Sequence, residues 1–284
     1  MIPASFDYQS PGTLNEALDL LSSNEDAKLL AGGHSLLPAM KLRLATPAVL
    51  IDLGRIAGLN QIGETGNTIT IGAMTTHAAV ATSKLLLSAS PLLAQTAANI
   101  GDIQVRNRGT IGGSLAQAHP SADYPASVLA LDAEIIALSR QGQRTIPARE
   151  FFTGMFTTAL QANEIITEIR VPKTMGTSTV YKKFHHPASG YAVVGVAVVV
   201  KSAGGKISDA AVAITGLAEI AYRATAVENA LRGKADSAIP EAAKHAADKV
   251  EGIGDNYASA EYRRHLAEVF TRRALQEALG SKQK

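Results

Sequence analysis

Apolar positions in the first third of the chain recur with two different periods. In "TLNEALDLL", Leu14, Ala17, Leu18 and Leu21 fall at helical spacing, and Thr13 with Glu16 has the spacing of a capping box. "AKLLA" predicts a buried strand ending at a Gly-Gly turn, and "AVLIDL" (Ala48 to Leu53) predicts another. In "LNQIGETGNTITIGAM", Ile69 and Ile71 alternate with Thr68 and Thr70 beside Gly66-Asn67, the pattern of a hairpin. A helical stretch follows from Thr76 to Ile100, divided at Pro91 because proline starts a helix well and sits badly inside one.

The next segment, "GDIQVRNRGTIGGSLAQAHPSADYPAS", is rich in glycine and polar residues and reads as a long irregular loop. Its apolar residues Ile103, Val105, Ile111 and Leu115 argue for order. "VLALDAEIIAL" returns to regular structure, "SRQGQR" turns, and "NEIITEIRVP" predicts a strand ending at Pro172. "KTMGTST" reads as a linker, so a domain boundary is placed near Gly176. Beyond it strands come first, at "VYKKF", "YAVVGVAVVV" and "ISDAAVAITGL", with "SAGGK" as a tight turn. Helices follow at "YRATAVENALRG", "AIPEAAKHAADKV" and "SAEYRRHLAEVFTRRALQEAL".

Composition narrows the function. The 46% hydrophobic content supports a sizeable core. A net charge of +2 gives no footprint for nucleic acid or an anionic membrane. The longest apolar run, Tyr191 to Val200, is half of the roughly twenty residues that a membrane span needs. The start "MIPASFDYQS" has no basic n-region or apolar h-region, so a cytoplasmic protein is expected. With no cysteine, the chain has neither thiolate catalysis nor cysteine-ligated iron–sulfur clusters.

Two glycine loops carry the candidate chemistry: Ala31-Gly32-Gly33-His34-Ser35 and Gly109-Thr110-Ile111-Gly112-Gly113-Ser114. Without Cβ atoms, backbone can approach a ligand, and successive N–H groups make an anion-binding nest. Two such loops, about 80 positions apart, could converge on one pyrophosphate, or each could simply be a turn. Neither is a Walker A loop nor a G-x-G-x-x-G dinucleotide fingerprint. His185 and His186 are adjacent and would point to opposite faces of a strand, and no ligand spacing supports a metal site. No G-x-S-x-G elbow or paired acid and base is evident. Asp123 could accept hydrogen bonds from ligand hydroxyls, or cap the helix that begins near Tyr124 and Pro125. The pattern suits a chain that holds an electron carrier and leaves bond chemistry elsewhere.

At these residues the sequence resembles the FAD-binding medium subunits of molybdenum hydroxylases. "LLAGGHSLLPAMKLRLATPAVLIDL" and "GDIQVRNRGTIGGSLAQAHPSADYPA" carry the resemblance in the first part of the chain. "KKFHHPASGYAVVGVAV" is similar to the branch of aerobic carbon monoxide dehydrogenase medium subunits, and "YRATAVENALRG" to the family's C-terminal domain. The resemblance implies an α+β fold. Residues 1–175 would form a vanillyl-alcohol-oxidase-type (PCMH-type) FAD domain with subdomains of about 1–57 and 58–175. Residues 176–284 would form a C-terminal domain with a three-stranded antiparallel sheet and a helical bundle.

The resemblance also implies roles. Leu30, Ala31, Gly32, Gly33, His34, Ser35 and Leu36, with Thr110, Ile111, Gly112, Gly113 and Ser114, would wrap the pyrophosphate and ribityl chain of non-covalent FAD. Ile100 and Gly101 would join this cofactor site. Ala122 and Asp123 would lie at the ribityl or ribose hydroxyls, and Ile165 and Ile166 at the flavin or adenine end. Lys183 would reach the flavin region, and Tyr191 would cover the isoalloxazine, unless it is an ordinary strand tyrosine. Pro187 and Gly190 stand where the xanthine dehydrogenase branch often has arginine and aspartate, and His119 in "QAHP" replaces the commoner acidic residue. His34 and His119 have no assigned role, and no side chain of this chain is assigned to catalysis or to metal.

The function implied is electron transfer within an oxidoreductase complex. A small partner subunit would carry two [2Fe–2S] clusters and a large one the molybdenum cofactor and the substrate, in a dimer of heterotrimers. Electrons would pass from the clusters through FAD to a quinone or another acceptor. The complex would be cytoplasmic or peripheral at the inner membrane. A self-sufficient flavin oxidase or dehydrogenase and a flavin-free scaffold are the alternatives.

Overall fold

The computed structural model describes residues 1–280. Helix Leu14–Ser23 starts where the capping box puts it: Thr13 Oγ1 accepts the Glu16 N–H at 3.2 Å, and Glu16 Oε2 accepts the Thr13 N–H at 3.3 Å. This helix packs on three parallel strands, with Val49–Asp52 between Asp7–Gln9 and Ala27–Leu30. Ala17, Leu18 and Ile51 form the small core, joined by Ile165 from the next unit.

That next unit is built on a five-stranded antiparallel sheet. Its central strand, Ile165–Pro172, lies between Thr68–Gly72 and Glu134–Ser139, and Ile62–Thr65 and Gly142–Pro147 form the edges. The register slips between Ile166 and Glu168, which places a bulge beside the site described below. Three helices, His77–Thr82, Lys84–Ala89 and Pro91–Ala98, replace the two pieces expected from Pro91. The additional break falls at Ser83, whose hydroxyl accepts the Leu86 N–H.

The expected long loop is mostly helical. It contains Ile103–Arg108, Ile111–Gln117 and the start of Tyr124–Ala130. Asp102 and Thr110 cap the first two, accepting from the Val105 N–H at 2.8 Å and the Gly113 N–H at 3.2 Å. Glycine's poor helix propensity hides the second helix in the sequence, but burial of Ile111 and Leu115 outweighs it.

Across Lys173–Thr177 the chain enters a third sheet, in the order Ser178–His185, Ala192–Ala203, Lys206–Thr215 and Tyr222–Arg223. The expected sheet had three strands; the two-residue strand Tyr222–Arg223 adds a fourth by pairing with Ala213 and Ile214. The unbroken apolar run in strand Ala192–Ala203 has a direct cause. Val196, Val198 and Val200 point into the C-terminal core with Leu266, Phe270 and Leu275 of helix Ala260–Ala278. Ala197, with Tyr181 and Ala213, points the other way into the core of the preceding unit. Both faces are buried, so polar alternation is lost. Among the described residues no helix is long and apolar enough to cross a membrane.

Candidate functional site

The strand Ala27–Leu30 delivers the first glycine loop to the junction of the three units. Gly33 has φ +76°, a left-handed conformation that glycine adopts without strain. Gly32 serves a different purpose. A Cβ there would lie 2.6 Å from Gly109 Cα, so the two glycine loops touch backbone to backbone. Gly112 is equally confined, since its Cβ would lie 2.6 Å from that of Ala73. Gly109 leaves room for an imidazole, its missing Cβ being 2.5 Å from His77 Nε2.

Backbone hydrogen bonding separates the two loops further. In the second loop the Ile111 N–H donates to Thr75 O, Gly112 to Ala73 O, and Gly113 to Thr110 Oγ1. These donors already hold the loop to its own unit. In the first loop the N–H groups of Gly32, Gly33, His34 and Ser35 have no protein acceptor among the described residues. Orphan N–H groups in succession, at the start of helix Leu36–Lys41, have the donor pattern of an anion-binding nest.

Both loops border one cavity of about 1030 Å³, at the upper end of the roughly 300–1,000 Å³ usual for cofactor sites. Of the residues singled out in the sequence, Ala31 through Leu36 line it, as do Thr110, Gly112, Gly113 and Ser114. Ile100 and Gly101, Ala122 and Asp123, Ile165 and Ile166, and Tyr191 also reach it. Three do not. Leu30 does not line it, although Lys28, Leu29 and Ala31 around it do. Ile111 is fully buried in the core. Lys183 stands behind Asp123, its ammonium 2.9 Å from the carboxylate and 2.9 Å from Asn99 O.

Asp123 reaches the cavity, but the capping role that the sequence also allowed does not hold. It makes no capping bond to helix Tyr124–Ala130, because its own backbone is already helical. Its carboxylate accepts from the Tyr181 hydroxyl at 2.5 Å and from Lys183, both on strand Ser178–His185. Burial pushes the Asp123 carboxyl up, and Lys183 and Tyr181 pull against it. The preceding residues are held by the same domain. Thr215 Oγ1 lies 2.9 Å from Pro120 O and 2.8 Å from Ala122 O, and the Gly216 and Ala192 N–H groups donate to Pro120 O and Ser121 O. The C-terminal domain therefore fixes one wall of the cavity.

Sequence reasoning missed several lining residues. His77 follows the capping Thr76 and is buried beneath Gly109, with its Nδ1 unpartnered. Burial, with His34 and Arg106 adding to it, lowers its pKa to about 4. Glu164 lines the wall and is held by Arg144, which keeps its carboxyl below the usual range. His119 and Phe156 join Tyr191 at an aromatic end: His119 stacks on Tyr191 with centroids 4.4 Å apart and planes at 15°, and meets Phe156 edge-on at 5.2 Å. "TTH" at a strand-to-helix junction was the readable signal for His77; the others depend on tertiary packing.

A nest of free N–H groups and a flat aromatic end suit a ligand with a diphosphate and planar rings, as FAD has. Similarity to known proteins agrees. Residues 4–174 match the family described as the FAD binding domain in molybdopterin dehydrogenase, and residues 179–278 the CO dehydrogenase flavoprotein C-terminal domain. The carbon monoxide dehydrogenase medium chain of Hydrogenophaga pseudoflava is 43% identical over 98% of both chains. The glyceraldehyde dehydrogenase medium chain of Sulfolobus acidocaldarius is 37% identical over 98% of this chain and 99% of that one. Among solved structures, the carbon monoxide dehydrogenase of Hydrogenophaga pseudoflava lacking the Mo-pyranopterin moiety superposes over 100% of both chains with TM-score 0.96. The chain thus belongs to the FAD-binding medium subunits of molybdenum hydroxylases, in the company of the carbon monoxide dehydrogenases.

Proposed function

We propose that this chain is the electron-transfer subunit of a molybdenum hydroxylase complex, taking electrons from [2Fe–2S] clusters on a small partner and passing them to a quinone or another acceptor. A large partner would hold the molybdenum cofactor and oxidise the substrate. The single observation that carries the reading is the row of free N–H groups from Gly32 to Ser35, in residues that line a cavity shared with the second loop. Bound FAD supplies the electron exchange. The chain's own residues hold it. The first loop would bind the diphosphate, with Thr110 and Ser114 beside it. Ala122 and Asp123 would border the ribityl or ribose hydroxyls, Ile165 and Ile166 would offer backbone, and Tyr191 would lie at the isoalloxazine.

The absence of cysteine supports this division of labour, since such a chain ligates no cysteine-held cluster itself. Residues 1–175 would carry the cofactor loops, and residues 176–284 the wall that braces them. The dimer of heterotrimers, and cytoplasmic placement with peripheral contact at the inner membrane, belong to the same proposal. The two relatives above are named for carbon monoxide and glyceraldehyde, so substrate choice is assigned to the large partner. Purification from the native host with flavin, iron and molybdenum analysis tests it. One FAD per chain, with iron and molybdenum on two co-purifying subunits, is the expected result. A flavin-loaded chain that oxidises an organic substrate without partners would replace this reading with a self-sufficient dehydrogenase.

A further inference from the structure

His119 has a geometry that the binding role of its neighbours does not explain. It comes just before the segment clamped by the C-terminal domain, and its ring lines the cavity. The Ser121 N–H donates to its Nδ1 at 3.0 Å. A ring nitrogen that accepts carries no proton, so a neutral imidazole here has its proton on Nε2. Burial lowers the pKa of His119, which keeps the ring neutral at pH 7. Nε2 has no protein partner among the described residues, yet it is not among the buried unpartnered atoms, so this edge of the ring is open. The stack on Tyr191 and the edge contact with Phe156 fix the plane of the ring and hence the direction of its N–H bond.

This end of the cavity suits the electron-carrying ring better than the adenine. Phe156 is 51% and Tyr191 37% exposed, so a ring packed here lies near the surface, where a partner can approach. We propose that His119, locked as its Nε2–H tautomer, donates a hydrogen bond to the isoalloxazine and thereby raises the reduction potential of the bound flavin. The inference rests on the FAD reading above. Reduction places negative charge on the flavin ring, and a hydrogen bond to a charged acceptor is roughly twice as strong as one to a neutral acceptor. A donor held at fixed orientation therefore favours the reduced form over the oxidised one. His119 orients and tunes; no proton transfer is assigned to it.

The test compares the protein purified from its host as the unchanged, His119→Gln and His119→Leu forms. Reductive titration gives the flavin midpoint potential, and flavin release gives the dissociation constant. The glutamine amide keeps an N–H donor, whereas leucine has none. With FAD in excess, His119→Leu is expected to shift the midpoint to more negative values, with His119→Gln remaining closer to the unchanged protein. If the leucine midpoint is no more negative than the glutamine midpoint, the proposal is overturned, and weaker FAD binding without that shift marks His119 as a packing residue only. If the unchanged protein carries no flavin, it is the FAD reading that falls instead.

Discussion

A side chain at position 112 would enter the space of Ala73, whereas one at position 33 would force an L-residue into left-handed backbone. Gly112→Val is therefore expected to lower the stability of the flavin-free protein by about 1–3 kcal/mol or more, as overpacking does. Thermal melting of the flavin-free variant checks this. Gly33→Ala carries a strain of about 1–2 kcal/mol and turns the free N–H groups away, so its main loss is expected in FAD affinity. The sequence shows where the glycines are, but not which of them press against protein, because that depends on residues far along the chain, such as Ala73 for Gly112 and Gly109 for Gly32. His77 makes a second residue-scale case. Folded, it takes up a proton only near pH 4, whereas unfolded it does so near 6.5. Stability is therefore full above pH 6.5 and falls as pH drops toward 4, with a slope of up to about 1.4 kcal/mol per pH unit. Urea titrations across that window are expected to show a shallower fall in His77→Gln.

Among the elements, helix Ile111–Gln117 is the least expected and the most dependent on its cap. Thr110→Ala removes the acceptor for the Gly113 N–H and is expected to cost about 1 kcal/mol, measured by chemical denaturation. FAD retention should fall with it, because the cap residue also borders the cavity. The hairpin at Gly66 and the capped helix at Thr13 were legible because local signals settle them. The segment after Gly101 was not, because its helices are short, and Ile111–Gln117 bears two glycines and is held by bonds to Ala73 and Thr75. Local propensity favours a loop there, and tertiary burial overrides it.

At the scale of the whole molecule, the two halves share a core around Tyr181, Ala197 and Ala213, and hydrogen bonds join them at the segment from Pro120 to Asp123. Thr215 is the most economical probe of that junction. Thr215→Val keeps the shape and removes the hydroxyl that bridges Pro120 O and Ala122 O, leaving buried carbonyls less well satisfied. A loss of about 1–3 kcal/mol is expected, together with weaker FAD binding, although residue 215 does not touch the cavity. Denaturation and flavin-release measurements on the same preparation check both. The change from strand and helix alternation to strands followed by helices was readable near Gly176. The bracing of one half's cavity by the other half was not, since no local pattern records which carbonyl a distant threonine will meet.

The second loop's prior commitment to Ala73, Thr75 and Thr110 has a consequence for how the cofactor is loaded. Its donors are satisfied by protein acceptors, so this wall of the cradle takes its shape from the fold itself. On this side of the cavity, loading resembles entry into a finished receptacle, and the second loop adds little ordering entropy to the cost of binding. Stripped protein mixed with fresh FAD is expected to recover its absorbance in a single phase whose rate rises linearly with FAD concentration, without a slow concentration-independent step.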